Sequence, residues 1–229
     1  MAKLKKRFVC RECGFVSPKW MGRCTECGAW NSLEEETEMK SVKPAKSPEH
    51  GSYSRPKRLS EIDFTEEDRM PVGDRELDRV LGGGIVPGSV VLLAGEPGVG
   101  KSTLLLDVAA RYAAEATTLG KGPVLYVTGE ESVAQVSKRA HRIGALSSNL
   151  LLAAEGDVGS VASLVQMHEP SLLIVDSVQT MTSGLVDGSA GSVSQVKAVC
   201  QIVINAAKQN ALPTLLVGHV TKDGTIAGP

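Results

Sequence analysis

Gly95-Glu96-Pro97-Gly98-Val99-Gly100-Lys101-Ser102, continued by Thr103, satisfies every fixed position of the phosphate-binding pattern G-x-x-x-x-G-K-[ST]. Its flanks fit as well. Ser89 to Ala94 is a β-branched and apolar run suited to a buried parallel strand, and Leu104, Leu105, Val108, Ala109 and Tyr112 recur at helical spacing behind it. Strand, glycine loop and helix together let successive backbone N–H groups face one anion, with the positive end of the helix dipole behind them. Lys101 then brings a mobile charge to the β- and γ-phosphates, and the Ser102 hydroxyl is placed to ligate Mg²⁺.

The 229 residues, 42% of them hydrophobic, suit one α/β core with a small appendage. No apolar run approaches the ~18 residues of a membrane span. The opening Met-Ala-Lys-Leu-Lys-Lys-Arg lacks the apolar segment of a secretory signal, so the expected location is the cytoplasm. Net charge is −1, yet the first 33 residues hold Lys3, Lys5, Lys6, Arg7, Arg11, Lys19 and Arg23 against only Glu12 and Glu26. The basic end is the better candidate to meet nucleic acid.

That end also carries Cys10-x-x-Cys13 and Cys24-x-x-Cys27, each followed by glycine. Two such turns direct four thiolates at one point, a tetrahedral site for which zinc is the expected ion; iron and a pair of disulfides are the alternatives. A segment this short buries too little surface to fold alone, so metal binding would supply most of its folding free energy. The fifth cysteine, Cys200, reads as a small hydrophobe. The expected domains are a cysteine knuckle over residues 1–33, a flexible linker rich in Glu, Lys, Ser and Pro over 34–56, and a nucleotide-binding α/β domain over 57–229.

Within the third part, a short helix presenting Leu77, Val80 and Leu81 on one face ends at Gly82-Gly83-Gly84. Further strands are expected at Val124 to Thr128, Leu150 to Ala153, Leu172 to Asp176 and Thr214 to Gly218, alternating with helices, which implies a mostly parallel sheet covered by helices. Asp176 ends Leu-Leu-Ile-Val-Asp, where a carboxylate at a strand's C-terminal end holds Mg²⁺ through water. Glu130 and Glu131 follow Tyr-Val-Thr-Gly, and one of them is the candidate to activate the attacking water. Asp176 is not followed by x-x-Gly, and Thr221-Lys222-Asp223 lacks the spacing of a guanine-reading motif, so ATP is the expected nucleotide.

Several stretches together carry a resemblance: the four-cysteine knuckle, Leu77 to Ser89, Gly95 to Leu106, Tyr126 to Ser132, Val175 to Thr180, Gly191 to Val196 and Val217 to Gly224. They resemble the bacterial RadA (Sms) family of DNA-repair proteins across nearly the whole chain. The resemblance implies a RecA-like ATPase that forms ring-shaped homo-hexamers, binds single-stranded and branched DNA, and drives branch migration beside a recombinase filament. It implies Zn²⁺, Mg²⁺ and ATP or ADP as cofactors. It assigns Glu130 as the catalytic glutamate, Asp176 as the Mg²⁺ acid and His219 as the γ-phosphate sensor. It also places a mobile DNA-contacting loop at Thr180 to Ser192, with Gly191, Ser192, Gln195 and Lys197 as the contact residues; the loop's composition says only that it is a surface loop too poor in apolar residues to pack. The family continues past Pro229 through a Lys-Asn-Arg-Phe-Gly motif and a Lon-protease-like domain, so the chain as given is expected to bind nucleotide but turn it over slowly. The competing readings are a zinc-containing module switched by nucleotide with little turnover, and a RecA-like ATPase that acts on protein.

Overall fold

The computed structural model describes residues 6–12, 15–37, 58 and 69–220, and the chain divides into two units, Met1–Phe64 and Thr65–Pro229. Unit 1 is built on a three-stranded antiparallel sheet, with β1 (Lys6–Cys10) between β2 (Val16–Ser17) and β3 (Leu33–Thr37). β3 runs past the domain boundary expected at residue 33, so the first part of the expected linker is a paired strand. The run of glutamates looks like linker by composition, but its backbone answers β1, as the pairing Arg7↔Glu36 shows. Linker residues 38–56 lie outside the described residues. The interior of this unit is slight: Cys10, Cys24 and Leu33 are buried, with Phe8, Phe15 and Met21 packed against them. Trp20 and Trp30 stand 58% and 72% exposed, and the Arg23 guanidinium lies 5.7 Å from the Trp30 ring centroid.

Unit 2 is the expected α/β sandwich. It runs α1 (Arg75–Val80), β4 (Val90–Gly95), α2 (Lys101–Thr118), β5 (Val124–Thr128), α3 (Val133–Ile143), β6 (Leu150–Ala154), α4 (Val158–His168), β7 (Leu172–Asp176), α5 (Val193–Gln209) and β8 (Thr214–His219). The five strands form one parallel sheet in the order β4-β8-β7-β5-β6. Alternate side chains divide between its faces as the strand period demands. Tyr126 and Ile174 join α2 and α3 in one buried layer, whereas Leu125, Val127, Leu173 and Val175 join α4 and α5 in the other. All five residues of β5 and of β7 are buried, which explains why both read as continuous apolar runs.

The segment ahead of β4 is a buttress. Asp74 caps α1 by accepting from the Leu77 N–H at 2.9 Å, and Asp78 accepts from the Val72 N–H at 2.7 Å. Val80 points outward at 72% exposure, against the expectation that it would pack with Leu77 and Leu81; a helix of under two turns has room for only a narrow buried stripe. After the glycine triplet, Met70 and Ile85 exchange both backbone hydrogen bonds, at 3.0 and 2.9 Å. This pair anchors the chain's entry into β4.

Among the glycines of the triplet, Gly84 is the one that admits no side chain. Its φ is +142°, and a Cβ would stand 2.5 Å from the Met70 carbonyl oxygen. Gly84→Ala should therefore lose about 3 kcal/mol of stability in unit 2, from left-handed strain and a backbone clash together. Urea unfolding followed by far-ultraviolet circular dichroism measures it; a loss under about 0.5 kcal/mol, the scale of an ordinary surface change, would refute the buttress.

Candidate nucleotide site and metal ribbon

Parallel register assembles the nucleotide site. Thr128 at the end of β5 pairs with Asp176 at the end of β7, and Gly95 at the end of β4 pairs with His219 at the end of β8. The four strand ends surround a pocket of about 250 Å³ lined by Pro97, Gly98, Gly100, Lys101, Ser102, Thr103, Thr128, Glu130, Glu131, Arg139, Asp176 and His219. The phosphate loop turns through Gly98 (φ +83°) and Gly100 (φ +99°), and Gly100 is the N-cap of α2. Gly95, Glu96 and Val99 complete it, with Val99 64% exposed at the rim.

Lys101 is 8% exposed, and its ammonium donates to the carbonyls of Gly95 and Glu96 at 2.9 and 2.8 Å. It also lies 3.4 Å from Nδ1 of His219, whose Nε2 is 3.7 Å from a Glu130 carboxylate oxygen. His219 thus stands between the loop lysine and the first glutamate.

The two adjacent glutamates separate in their contacts. Thr128 Oγ1 accepts from the N–H groups of both, at 3.3 Å for Glu130 and 3.0 Å for Glu131, so one turn launches both. Gly129 within that turn carries no side chain because a Cβ there would meet Thr180 Oγ1 at 2.5 Å. Glu131 then accepts from the Arg139 guanidinium at 2.5 Å, whereas the Glu130 side chain stays 58% exposed toward the pocket. Arg139 is the site residue that sequence reading missed. Its only sequence signal is position: it lies about one turn beyond the Ser132–Gln135 capping box that starts α3, on a helix whose charges look like an ordinary solvated face.

Asp176 is 5% exposed and accepts from the Tyr126 hydroxyl at 2.6 Å. Burial first, then the Asp176 charge and this hydrogen bond, pushes the Tyr126 hydroxyl far above its ordinary pKa. The phenol therefore stays protonated and holds one oxygen of the carboxylate in place. Asp176 and Ser102 line the same pocket, a carboxylate and a hydroxyl that could hold Mg²⁺.

The segment 180–192 is a surface loop, as its composition implies, exposed from Gly184 to Gly191 apart from half-buried Val186, but its start is anchored. Met181 is fully buried and Ser183 is 3% exposed. The fastening is Gln195, itself 2% exposed: its carbonyl accepts from Ser183 N at 2.7 Å, and its amide nitrogen donates to the carbonyls of Ser183, Val186 and Gly188 at 3.3, 2.8 and 3.3 Å. The Gln195 side chain is thereby spent on loop structure, which corrects its expected role as a contact residue. Gly191 and Lys197 are exposed and Ser192 is half-buried. Cys200 is half-buried beside the α4 and α5 layer, and burial raises its thiol pKa.

In unit 1, Cys10, Cys24 and Cys27 place their sulfur atoms within 4.8 Å of one another, with Cys10 and Cys27 at 3.6 Å. Zinc–thiolate bonds of about 2.3 Å in a tetrahedron set sulfurs about 3.8 Å apart, so the cluster fits a zinc ion. The 3.6 Å spacing is far beyond the ~2.05 Å of a disulfide. Turns hold the ligands: Cys10 N donates to Phe15 O at 2.8 Å, and Gly28 N donates to Cys24 O at 3.0 Å. The fourth ligand expected, Cys13, lies outside the described residues.

Comparison with known proteins agrees with both units. A family described as AAA domain matches residues 55–225, and one described as rubredoxin metal binding domain, of zinc-ribbon type, matches residues 8–35. The chain belongs to the AAA domain family. Its full length also aligns with DNA repair protein RadA of Streptococcus pyogenes at 46% identity, of Mycobacterium tuberculosis at 48% and of Bacillus subtilis at 43%. The resemblance to RadA thus holds across the chain, which covers 49%, 47% and 50% of those relatives, about half their length. Among solved structures, a DnaB-like replicative helicase, described with its interactions with primase, superposes with a TM-score of 0.55 at 16% identity over 67% of this chain and 43% of that one. At that identity it supports the fold alone. No helix among the described residues is long and apolar enough to cross a membrane.

Two outcomes follow from this geometry. Native protein should carry one zinc per chain by elemental mass spectrometry, and Cys24→Ser should lose it; metal-free protein with disulfide-linked cysteines would overturn the assignment. Gln195→Ala should strand several buried loop polar groups and cost about 2 kcal/mol. Limited proteolysis should then cut near residues 183–188, and a protease-resistant loop in the variant would show that Gln195 does not fasten it.

Proposed function

We propose that the chain is the ATP-hydrolysing portion of a cytoplasmic DNA-repair motor, one that binds single-stranded DNA and promotes branch migration of recombination intermediates. The observation that carries the reading is the convergence of Lys101, Glu130, Asp176 and His219 on one pocket behind the phosphate loop. Lys101 would leave the loop carbonyls for the β- and γ-phosphates of ATP, and Ser102 with Asp176 would hold Mg²⁺, whose charge offsets that developing on the phosphate oxygens. Glu130, exposed in the pocket and not tied to Arg139, is the base that orients water. His219, in reach of both Lys101 and Glu130, couples occupancy of the phosphate site to that base.

The DNA side of the proposal is supported by the name of the RadA relatives. Gly191, Ser192 and Lys197 are the contact residues proposed for single-stranded and branched DNA. Lys197 offers charge to a phosphate, and the loop offers backbone N–H groups and a hydroxyl. A homo-hexameric ring working beside a recombinase filament is the assembly proposed for the full-length protein, and the 1–33, 34–56 and 57–229 division, with its first boundary moved to the end of β3, is its domain plan.

The test separates binding from chemistry. Lys101→Ala should weaken MgATP binding by 100-fold or more, on the order of two lost charge-assisted hydrogen bonds. Glu130→Gln should bind ATP as the parent does and lose roughly 10²–10⁴-fold in turnover, the usual contribution of a general base. Affinity is read with a fluorescent ATP analogue, and turnover by phosphate release with and without single-stranded DNA. Full turnover in Glu130→Gln together with its loss in Glu131→Gln would reverse the choice of glutamate.

A further inference from the structure

Arg139 has no part in the mechanism just described, yet it lines the nucleotide pocket from α3. Its side chain is 18% exposed and ion-paired with Glu131, which is 27% exposed, while its Nη1 is buried with no hydrogen-bond partner. A guanidinium is costly to bury and seldom left half satisfied. The place to look for what offsets this cost is the charge around it. Glu130, Glu131 and Asp176 put three carboxylates on one pocket whose expected occupant is a triphosphate. Against them stand Lys101 and, when protonated, His219.

We infer that Arg139 is a positioning residue of the nucleotide site. It neutralises Glu131, so that of the two adjacent pocket carboxylates only Glu130 meets the nucleotide without an arginine partner. Thr128 Oγ1 takes the N–H groups of both glutamates, and the ion pair with Arg139 is what distinguishes the contacts of Glu131 from those of Glu130. The arginine reaches Glu131 from the second turn of α3 through one Nη2–Oε1 contact, a fixed direction that a lysine, a compact charge on a flexible stem, would hold less well. With the arginine removed, Glu131 becomes an uncompensated negative charge beside the nucleotide. The penalty then grows with the charge of the ligand, so ATP suffers more than ADP.

This inference rests on the pocket being a nucleotide site, and the experiment keeps the two apart. Equilibrium affinities for MgATP and MgADP are measured on the whole chain and on Arg139→Gln, Arg139→Lys, Arg139→Gln/Glu131→Gln and Lys101→Ala. Arg139→Gln should weaken ATP on the order of tenfold and ADP distinctly less, the size expected for one partly screened like charge. Adding Glu131→Gln should bring ATP affinity back to within about twofold of the parent, because the charge that Arg139 restrained is gone. Arg139→Lys should fall between parent and Arg139→Gln. A double variant as weak as Arg139→Gln, or equal losses for ATP and ADP, would overturn the inference in favour of a packing role. Should Arg139→Gln fail to fold by circular dichroism, a Lys variant that folds and shows no preference between the two nucleotides different from the parent's would overturn it as well. If the parent chain takes up no nucleotide, or Lys101→Ala binds as the parent does, the nucleotide site falls and this inference with it.

Discussion

Parallel register is the constraint on which the rest of unit 2 depends. A parallel sheet places the C-terminal ends of all its strands along one edge, and the observed pairing aligns Thr128 with Asp176 and Gly95 with His219 at that edge. Every group in the nucleotide pocket is delivered by a strand end, by the loop that follows it or by the first turns of the next helix. A slip of one residue in β7 would exchange its two faces, sending Ile174 into the α4 and α5 layer and Asp176 away from Tyr126. The full burial of β5 and β7 on both faces makes such a slip expensive, so the packing of the core and the geometry of the site are one specification.

Much of this was legible before any coordinates. Continuous β-branched runs, glycines in a fixed pattern and an aspartate at the end of four apolar residues are strong signals because each has a single physical purpose. β5 and β7 occupy the residues expected of them, and the phosphate loop joins its strand and helix as anticipated. What the residues hid is equally physical. Arg139 belongs to a charged helical surface, and nothing in its neighbours announces that one arginine among Lys138, Arg139 and Arg142 turns inward. Gln195 carries a contact role only through the resemblance, and nothing in the sequence announces that its single amide satisfies four backbone groups of the loop before α5. β3 was hidden because strand pairing uses the backbone, which a glutamate offers as well as a valine.

The two units solve stability in different ways. Unit 2 closes two apolar layers over a sheet, and its polar exceptions, Lys101, Thr128, Asp176, Ser177 and Gln195 among them, gather at or near the strand ends where hydrogen bonds satisfy most of them. Unit 1 has only a handful of apolar side chains around its cysteines. Metal–thiolate bonds there take the place of a core, which ties the ribbon's folding to metal supply and to thiol redox state.

The placement of the aromatic residues has a spectroscopic consequence. Both tryptophans of the chain, Trp20 and Trp30, are in the ribbon and largely exposed, whereas Tyr112 and Tyr126 are buried in the nucleotide domain. Light absorbed at the red edge of the protein spectrum is therefore emitted by the ribbon alone. Metal loss, or a partner settling on that surface, will report in an optical channel in which a tryptophan-free pocket filling with ATP has no emitter of its own.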